Sequence, residues 1–236
     1  MKLISIIIPV YNHADSLRRS VESILAQTYR PLEIVVIDDG STDELEKVLL
    51  EIVTLANQKQ IDIKVIHQKN CGAPAARNKG FIESKGEYVI FWDADTIGKP
   101  EMLLKMVEAL EQHPEASYVY SGFKFGWKNF RGCVFSEDNL RENNYIDTTS
   151  LLRREDFIPF DETLKRFQDW DLWLNLLEKN KIGFFIPEIL YKKIVSGRIG
   201  ISQWLPSFVY RLPWKTKAVK AYDRAREIIL KKHRFI

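Results

Sequence analysis

Short, continuous apolar runs alternate with amphipathic segments along the first half of the chain. A strand that is buried on both faces of a parallel sheet has such a run, because both sets of its alternating side chains meet apolar neighbours. The runs predict four strands, at Ile4 to Val10, Leu32 to Ile37, Ile61 to Ile66 and Tyr88 to Trp92.

Between these strands, apolar residues recur at the spacing of one helix face. Asp15 or Ser16 can cap the first helix, which ends before Pro31, and a second helix begins at Glu44. Strands that alternate with helices predict an α/β fold, with a mostly parallel central sheet covered by helices on both faces. Ligands bind such sheets beyond the carboxyl ends of the strands, so polar residues at those ends are the first candidates for a site.

The rhythm changes after Ser117, where an aromatic strand is followed by a polar connection from Glu137 to Asn144 and by a helix near Gln168 to Lys179. This pattern indicates α+β material added to the sheet. We predict one domain over residues 1–200, made of the halves 1–97 and 98–200, and a basic, aromatic, helical tail over residues 201–236.

Charge is concentrated in that tail. The whole chain of 236 residues has a net charge of only +3, which excludes a protein that coats nucleic acid, and we expect no nucleic-acid partner. Two interpretations of the tail remain open. It contacts a membrane peripherally through residues 204–236, with interfacial aromatic rings at Trp204, Phe208, Tyr210 and Trp214, or it packs on the core through Val219, Tyr222, Ile229 and Leu230.

The two cysteines, Cys71 and Cys133, exclude a disulfide framework and favour a reducing compartment. The apolar run at the start ends at Pro9 and lacks a cleavage site for a signal peptidase, so it predicts a strand. No apolar stretch approaches the roughly 20 residues that cross a bilayer. We therefore expect a cytoplasmic protein, or one at the inner face of the membrane.

Polar residues follow several of the predicted strands. The turn after the first strand has no glycine, so a GxGxxG dehydrogenase is not expected, and the absence of GxxxxGK[ST] excludes a P-loop ATPase. Asp38 and Asp39 end the second strand, where they either form a turn and cap the next helix or accept hydrogen bonds from a nucleotide. Asp93 and Asp95 follow the fourth strand and point the same way, an arrangement that suits Mg²⁺ or Mn²⁺.

Five stretches together resemble the inverting family 2 glycosyltransferases, which have the Rossmann-like GT-A fold. They occur in the family's order, at Ser5 to Asn12, Ile37 to Asp43, Asn70 to Gly80, Asp93 to Asp95 and Gln168 to Leu174. The resemblance implies that residues 1–97 bind a nucleotide sugar and that residues 98–200 bind the acceptor.

The same resemblance assigns roles to individual side chains. Pro9, Tyr11 and Asp39 would hold the base, usually uracil, with Asn12 and Asp38 in the same nucleotide site. Arg77 would help to fix the nucleotide, Asp93 would contact ribose or the donor sugar, and Asp95 would hold the Mn²⁺ or Mg²⁺ that bridges the diphosphate. The predicted nucleotide and metal residues are thus Pro9, Tyr11, Asn12, Asp38, Asp39, Arg77, Asp93 and Asp95.

The family's catalytic base falls on Asp169. On a helical wheel this acid lies between Trp173 and Leu176, away from the predicted solvent-facing positions. It therefore caps a helix terminus, pairs with another group or faces a cleft. The predicted solvent-facing positions are Asp171, Asn175, Glu178 and Lys179.

Two residues depart from the family's pattern. Gln168 stands where the family usually has Glu, and residues 191–202 lack the His that many relatives use as a further metal ligand. His13 lies in the first turn and is interpreted as a solvated loop residue.

These patterns predict a metal-assisted inverting glycosyltransferase. The donor would be a UDP-sugar, and the acceptor would be a hydroxyl of a glycan, polysaccharide or lipid-linked saccharide. A polyprenyl-phosphate glycosyltransferase and a non-catalytic nucleotide- or glycan-binding module remain alternatives. A sugar-nucleotide pyrophosphorylase is disfavoured, because the chain lacks the glycine-rich phosphate loop of that class.

Overall fold

A computed structural model of the protein describes residues 1–194 and 216–235. The described chain forms nine strands and seven α-helices, and a short 3₁₀ turn covers Arg154–Asp156. The strands are β1 (Ile4–Val10), β2 (Leu32–Asp38), β3 (Asp62–His67), β4 (Tyr88–Phe91), β5 (Thr96–Gly98), β6 (Ala116–Phe125), β7 (Lys128–Phe130), β8 (Leu151–Arg153) and β9 (Ile182–Lys193). The helices are α1 (Ala14–Leu25), α2 (Leu45–Gln58), α3 (Ala73–Glu83), α4 (Met102–Gln112), α5 (Glu137–Glu142), α6 (Gln168–Leu177) and α7 (Lys217–Lys232).

All nine strands belong to one sheet, in the order β3-β2-β1-β4-β8-β6-β9-β5, with β7 paired to β6. β1, β2, β3 and β4 are mutually parallel, and β6 and β9 run in the same direction because β8 lies antiparallel between β4 and β6. β5, β7 and β8 run the opposite way. The predicted mostly parallel sheet is confirmed, and the added half mixes the two directions.

The predicted strands agree closely with the observed ones, and the apolar runs of β1, β2 and β4 are buried on both faces, whereas β3 is an edge strand without a fully buried residue. β1 has the predicted bounds, β2 extends by one residue to Asp38, β3 covers Asp62–His67, and β4 ends one residue early at Phe91. Alternate side chains of β1 enter two separate cores. One core lies against α1, α2 and α4, and the other lies against α3, α6 and α7.

Two local predictions were wrong. α1 begins at Ala14, ahead of both predicted caps, and the first helical N–H donates to the Asp43 carboxylate at 3.0 Å. An acid from a distant loop thus satisfies a donor that local sequence left open. The polar connection after Ser136 contains α5, which starts where the Ser136 hydroxyl accepts a hydrogen bond from the Asn139 N–H.

A third prediction was wrong for a tertiary reason. Asp171 was placed on the solvent side of α6, yet its side chain is only 1% exposed. The end of α7 covers it, with the Lys232 ammonium 2.8 Å and the His233 Nε2 atom 3.0 Å from Asp171 Oδ1. A helical wheel of α6 alone carries no information about a helix that arrives from about 60 residues later in the chain.

The described part of the tail packs against the core. Val219, Ile229 and Leu230 are buried, and the Tyr222 ring meets Phe167 at a centroid distance of 5.1 Å. These contacts favour the packing interpretation for residues 216–235. The four tail aromatics at 204, 208, 210 and 214 lie outside the described residues. None of the described helices combines the length and apolar composition that a bilayer crossing requires.

Candidate active site

The parallel strands bring several predicted residues to one edge of the sheet. Tyr11 follows β1, Asp39 follows β2, and Asp93 closely follows β4, all at carboxyl ends that point the same way. β9 contributes its last residue, Lys193, to the same edge. Because β8 runs the opposite way, Asp147 precedes it at this edge too.

Asp39 organises the loop that leads into α3. Its Oδ1 atom accepts hydrogen bonds from the Gln68 amide and the Cys71 N–H, and its Oδ2 atom accepts one from the Gly72 N–H, each at 2.8 Å. Gly72 caps α3 with a φ of +92°, a conformation that glycine adopts at little cost. A buried carboxylate with three donors therefore sets the shape of the predicted base-binding loop.

The first and second strand-to-helix turns are joined by Asn12. Its N–H donates to the Ser41 hydroxyl at 3.0 Å, and its side-chain oxygen accepts from the Thr42 N–H at 2.7 Å. Asn12 has a φ of +56°, a left-handed conformation in which asparagine is enriched. Beside it, Tyr11 is 46% exposed and Pro9 is half-buried. The Tyr11 ring is thus accessible to a ligand at this edge.

Asp38 makes different contacts from its neighbour Asp39. One oxygen accepts from the Ser41 N–H at 2.9 Å, and the other lies 3.0 Å from the His67 ring. Burial alone would raise the pKa of Asp38, but the Ser41 and His67 hydrogen bonds outweigh it and hold the pKa below its usual value. Glu46 completes a group with metal-ligating atoms, although Glu46 and His67 are both exposed. Asp38 therefore stabilises the loop after β2, and the N-cap position of α2 is occupied by Glu44, whose side chain makes no capping hydrogen bond.

Arg77 and Asp93 form a partly buried ion pair after the end of β4. One Arg77 nitrogen donates to Asp93 Oδ1 and the other to the Gln168 side-chain oxygen, both at 2.9 Å. The guanidinium also lies 5.4 Å from the centre of the Phe160 ring. Gln168, which replaces the family's usual Glu, is thus an acceptor that ties α3 to the start of α6.

Sequence reasoning missed two charged residues beside this pair. The Lys193 ammonium lies 3.0 Å from Asp93 Oδ2 and 2.6 Å from Asp147 Oδ2. Burial alone would raise the pKa of Asp93, but Lys193 and Arg77 hold that pKa well below its usual range. The signal for Lys193 was its position at the end of the last core strand. Asp147 lies in an irregular segment without a pattern that could have indicated it.

Asp95 has the chemistry of a metal ligand. Its Oδ1 atom is buried and has no hydrogen-bond partner among the described residues. Burial, with the nearby Asp93 charge, raises the pKa of Asp95 to about 6. An orphaned carboxylate oxygen in an acidic cluster fits a hard divalent cation, which prefers oxygen ligands and retains some waters. His13 is close enough to Asp95 to interact with it electrostatically, and it is half-buried at the start of α1, which corrects its interpretation as a solvated residue.

Asp169 lies at the start of α6. Its Oδ1 atom accepts from the Asn144 amide at 3.0 Å and from the Trp170 N–H at 2.9 Å. Burial and the Asp147 charge raise the pKa of Asp169, and Lys193 acts in the opposite direction. Asp169 therefore interacts electrostatically with Asp147 and Lys193, which belong to the charged cluster around Asp93. No described residue donates to Asp169 Oδ2, so this oxygen can accept a proton from a ligand.

Comparison with known proteins assigns the chain to a family. A model named Glycosyl transferase family 2 matches residues 5–164, which is more than half of the chain. The chain belongs to glycosyl transferase family 2. This family 2 glycosyltransferase chain is 32% identical over 213 residues to an uncharacterized glycosyltransferase of Rickettsia felis, and the match covers 82% of the chain and 33% of the relative. It is 41% identical over 151 residues to the uncharacterized glycosyltransferase YibD of Escherichia coli, which covers 64% of the chain and 43% of YibD.

Solved structures share the GT-A fold of this family 2 glycosyltransferase chain. S. aureus TarS in complex with UDP has a TM-score of 0.68 and 25% identity, covering 83% of the chain and 61% of that structure. TarS in complex with UDP-GlcNAc has a TM-score of 0.72 at 20% identity, covering 99% and 72%. The mannosyltransferase PcManGT of Pyrobaculum calidifontis, in complex with GDP-Man and Mn²⁺, has a TM-score of 0.70 at 16% identity, covering 97% and 70%.

Most of the predicted residues therefore fall into two groups at the carboxyl edge of the sheet. Arg77, Asp93, Asp147 and Lys193 form one cluster of ion pairs, and Asp95 and Asp169 interact with it electrostatically. Asp39 and Asn12 shape the turns at the neighbouring strand ends, and Pro9 and Tyr11 lie between the two groups along β1 and its turn. The ligand-binding and catalytic roles of all these residues stay predictions.

Proposed function

We propose that this chain transfers a sugar from a nucleoside diphosphate sugar, a UDP-sugar, to an acceptor hydroxyl with inversion at the anomeric carbon. The observation that carries the proposal is the arrangement around Asp95. Its orphaned buried oxygen lies in a cluster with the cations Arg77 and Lys193, and Asp169 interacts electrostatically with Asp147 and Lys193 of that cluster. One group of residues can thus bind a charged diphosphate and a reacting hydroxyl together.

The residues of the chain have distinct roles in this proposal. Asp39 and Tyr11 hold the base, Arg77 fixes the diphosphate, and Asp93 orients the ribose or the donor sugar. Asp95 is the residue that would hold Mn²⁺ or Mg²⁺, which would supply positive charge to the leaving nucleoside diphosphate. Arg77 stabilises the same negative charge.

Asp169 acts as the general base. It takes the proton of the acceptor hydroxyl while that oxygen attacks the anomeric carbon from the face opposite the diphosphate. The bond from the carbon to the phosphate oxygen breaks in the same displacement, so the configuration is inverted. The raised pKa of Asp169 suits this role, because a base with a pKa nearer to neutral pH accepts a proton more readily. The acceptor is proposed to be a hydroxyl of a glycan, polysaccharide or lipid-linked saccharide, bound by residues 98–200, while residues 1–97 bind the donor.

Thermal unfolding with UDP, GDP, CMP or dTDP, each with Mn²⁺ or EDTA, tests the donor assignment. A ligand that binds only the native state stabilises it by about 2.7 kcal/mol at 100 times its Kd. We expect the largest shift with UDP and Mn²⁺, because the TarS structure at 25% identity contains UDP. A larger shift with GDP would replace the uracil assignment, and no shift with any nucleotide would contradict the proposal and support a binding module of another kind.

The Asp169→Asn variant tests the reaction itself. Loss of a positioned base lowers a transfer rate by about 10²- to 10⁴-fold, whereas the affinity for the nucleotide remains. Asp138→Asn, in the exposed helix α5, is the matched control. A phosphate acceptor needs no strong base, so full transfer to a polyprenyl phosphate by Asp169→Asn would favour that alternative. Lack of transfer by the wild type, despite nucleotide binding, would favour a non-catalytic module.

A further inference from the structure

Backbone pairing fixes Lys193 beside the two acids after β4. β5, which follows Asp95 directly, is antiparallel to β9 and pairs Thr96 with Lys193. The next N–H along, that of Ile194, donates to the Asp95 carbonyl oxygen at 2.8 Å. The position of Lys193 is therefore set by strand register and not by a flexible loop.

The Lys193 side chain lies within the acidic cluster. It is 13% exposed, and its ammonium contacts Asp147 and Asp93. The Tyr191 hydroxyl donates to the other Asp147 oxygen at 3.0 Å, which holds Asp147 in place. An ammonium has three N–H donors, so the two carboxylates leave donor capacity for another oxygen.

The charges of the cluster suit a ligand that carries both positive and negative charge. Three carboxylates, of Asp93, Asp95 and Asp147, interact with the Lys193 ammonium. The ammonium contacts two of them directly, whereas Asp95 Oδ1 has no partner among the described residues. A cation on Asp95 and an anionic oxygen near Lys193 would complete the cluster, and a diphosphate with its metal ion offers both.

We propose that Lys193 binds the diphosphate of the donor, so that a nucleoside diphosphate keeps measurable affinity for the protein when divalent metal is removed. This inference rests on the proposed function, since it assigns a further residue to the same donor site. Lys193 would add to the positive charge that Arg77 and the metal would supply to the diphosphate. The alternative is that Lys193 is a structural counter-ion, which neutralises Asp93 and Asp147 without contacting the ligand.

The test compares UDP with uridine, which lacks the phosphates, by ligand-observed NMR titration in EDTA and in Mn²⁺. In EDTA, we expect Lys193→Met to weaken UDP binding by about 10- to 100-fold, as for loss of a hydrogen bond to a charged group, and to leave uridine binding unchanged. Lys193→Arg should retain most of the UDP affinity. The ratio of UDP affinities in Mn²⁺ and EDTA should rise in Lys193→Met, because its binding depends more on the metal.

Lys192→Met is the matched control, since it removes the same charge from an adjacent, exposed position on β9. Lys193→Met can leave buried carboxylates unpaired and weaken the fold. The double variant Lys193→Met with Asp147→Asn removes one of those charges, and it is expected to show the same selective loss of UDP affinity.

The outcomes separate the inference from the function on which it rests. Equal UDP affinity of wild type and folded Lys193 variants in EDTA would overturn the inference, as would undetectable UDP binding by the wild type in EDTA. An equal loss of uridine and UDP affinity would show the structural role only, and would overturn it too. If UDP and GDP fail to bind even with Mn²⁺, the proposed function itself is contradicted.

Discussion

Replacing Asp171 by asparagine removes the charge from the contact between α6 and α7 while keeping the size of the side chain. The Asp171 carboxylate is buried and holds the Lys232 ammonium at 2.8 Å and the His233 ring at 3.0 Å. Both partners lie at the end of α7, so this one acid fixes the described part of the tail to the helix that carries Asp169.

The size of the effect follows from the partners that remain. Removing one member of a buried ion pair costs about 3–5 kcal/mol, because the other charge stays buried without compensation. Here Lys232 is partly exposed and keeps Asp161 at 2.7 Å, and His233 keeps Glu178 at 2.7 Å. We therefore expect Asp171→Asn to lower the free energy of unfolding by about 2–3 kcal/mol, below the full penalty.

Urea unfolding, followed by circular dichroism, measures this loss, and hydrogen exchange of residues 217–232 shows whether α7 opens first. Asp138→Asn is the control, because Asp138 also pairs with a cation on a helix but is 94% exposed. Its expected cost is within about 0.5 kcal/mol. If Asp171→Asn costs no more than that control, Asp171 faces solvent as the helical wheel indicated, and the described docking of α7 is refuted.

The pH dependence of stability gives an independent test of the same contact. Burial lowers the pKa of His233, but its hydrogen bonds to Asp171 and Glu178 outweigh burial and raise the pKa above the ordinary 6.5. A raised histidine pKa stabilises the folded state fully below the unfolded value and loses that effect as the pH rises through the folded pKa. As the pH rises from 6.5 through the folded pKa of His233, we expect the free energy of unfolding of the wild type to fall. The fall should be smaller in His233→Asn. Parallel pH curves for the two proteins would contradict this assignment.

Three further predictions concern the site and the sheet. Asn144→Ala removes a hydrogen bond that lowers the pKa of Asp169, so the acid limb of the kcat/KM profile should move to higher pH; an unmoved limb would exclude Asp169 as the titrating base. Asp95→Asn should abolish the Mn²⁺-dependent part of the UDP thermal shift while uridine still binds, and a retained Mn²⁺ effect would place the metal elsewhere. Gly80→Val should cost about 1–3 kcal/mol in urea unfolding, because a Cβ at this position would lie 2.3 Å from a methyl carbon of Ile7. Ile82→Val, at an exposed position of the same helix, is its control, and equal midpoints would show that α3 can move away from the sheet.

The fold was predictable where burial alone decides the pattern. β1 is apolar throughout because it lies between β2 and β4, with helices over both faces, and its bounds were predicted correctly. The start of α1 was not predictable, because its donor group is satisfied by Asp43 from the next turn. Asp171 was misplaced for the same kind of reason, since a tertiary contact replaced the solvent that amphipathicity implies.

The candidate site shows the same division. Asp93 and Asp95 were found because they follow the buried strand β4 and are spaced as residues that share one face of a strand. In the structure they lie in the turn between β4 and β5, so this turn and not strand alternation brings them together. Asp147 precedes an antiparallel strand in the irregular part of the chain, and only the sheet order brings it to the carboxyl edge. Lys193 is the last residue of β9 but is positively charged, whereas metal ligands at strand ends are carboxylates. A pattern of metal ligands therefore did not indicate it.

The pairing of β5 with β9 makes chain length more restrictive than residue identity in this part of the site. Thr96 and Ile97 hold the end of β9 through backbone groups, so other side chains that fit the space can replace theirs without moving Lys193. One inserted or deleted residue between Asp95 and Gly98 would instead shift β5 by one position against β9, whose own register is held by β6, and would move Asp95 away from the Lys193 ammonium. Natural or laboratory variants of this segment should therefore tolerate substitutions much better than insertions and deletions.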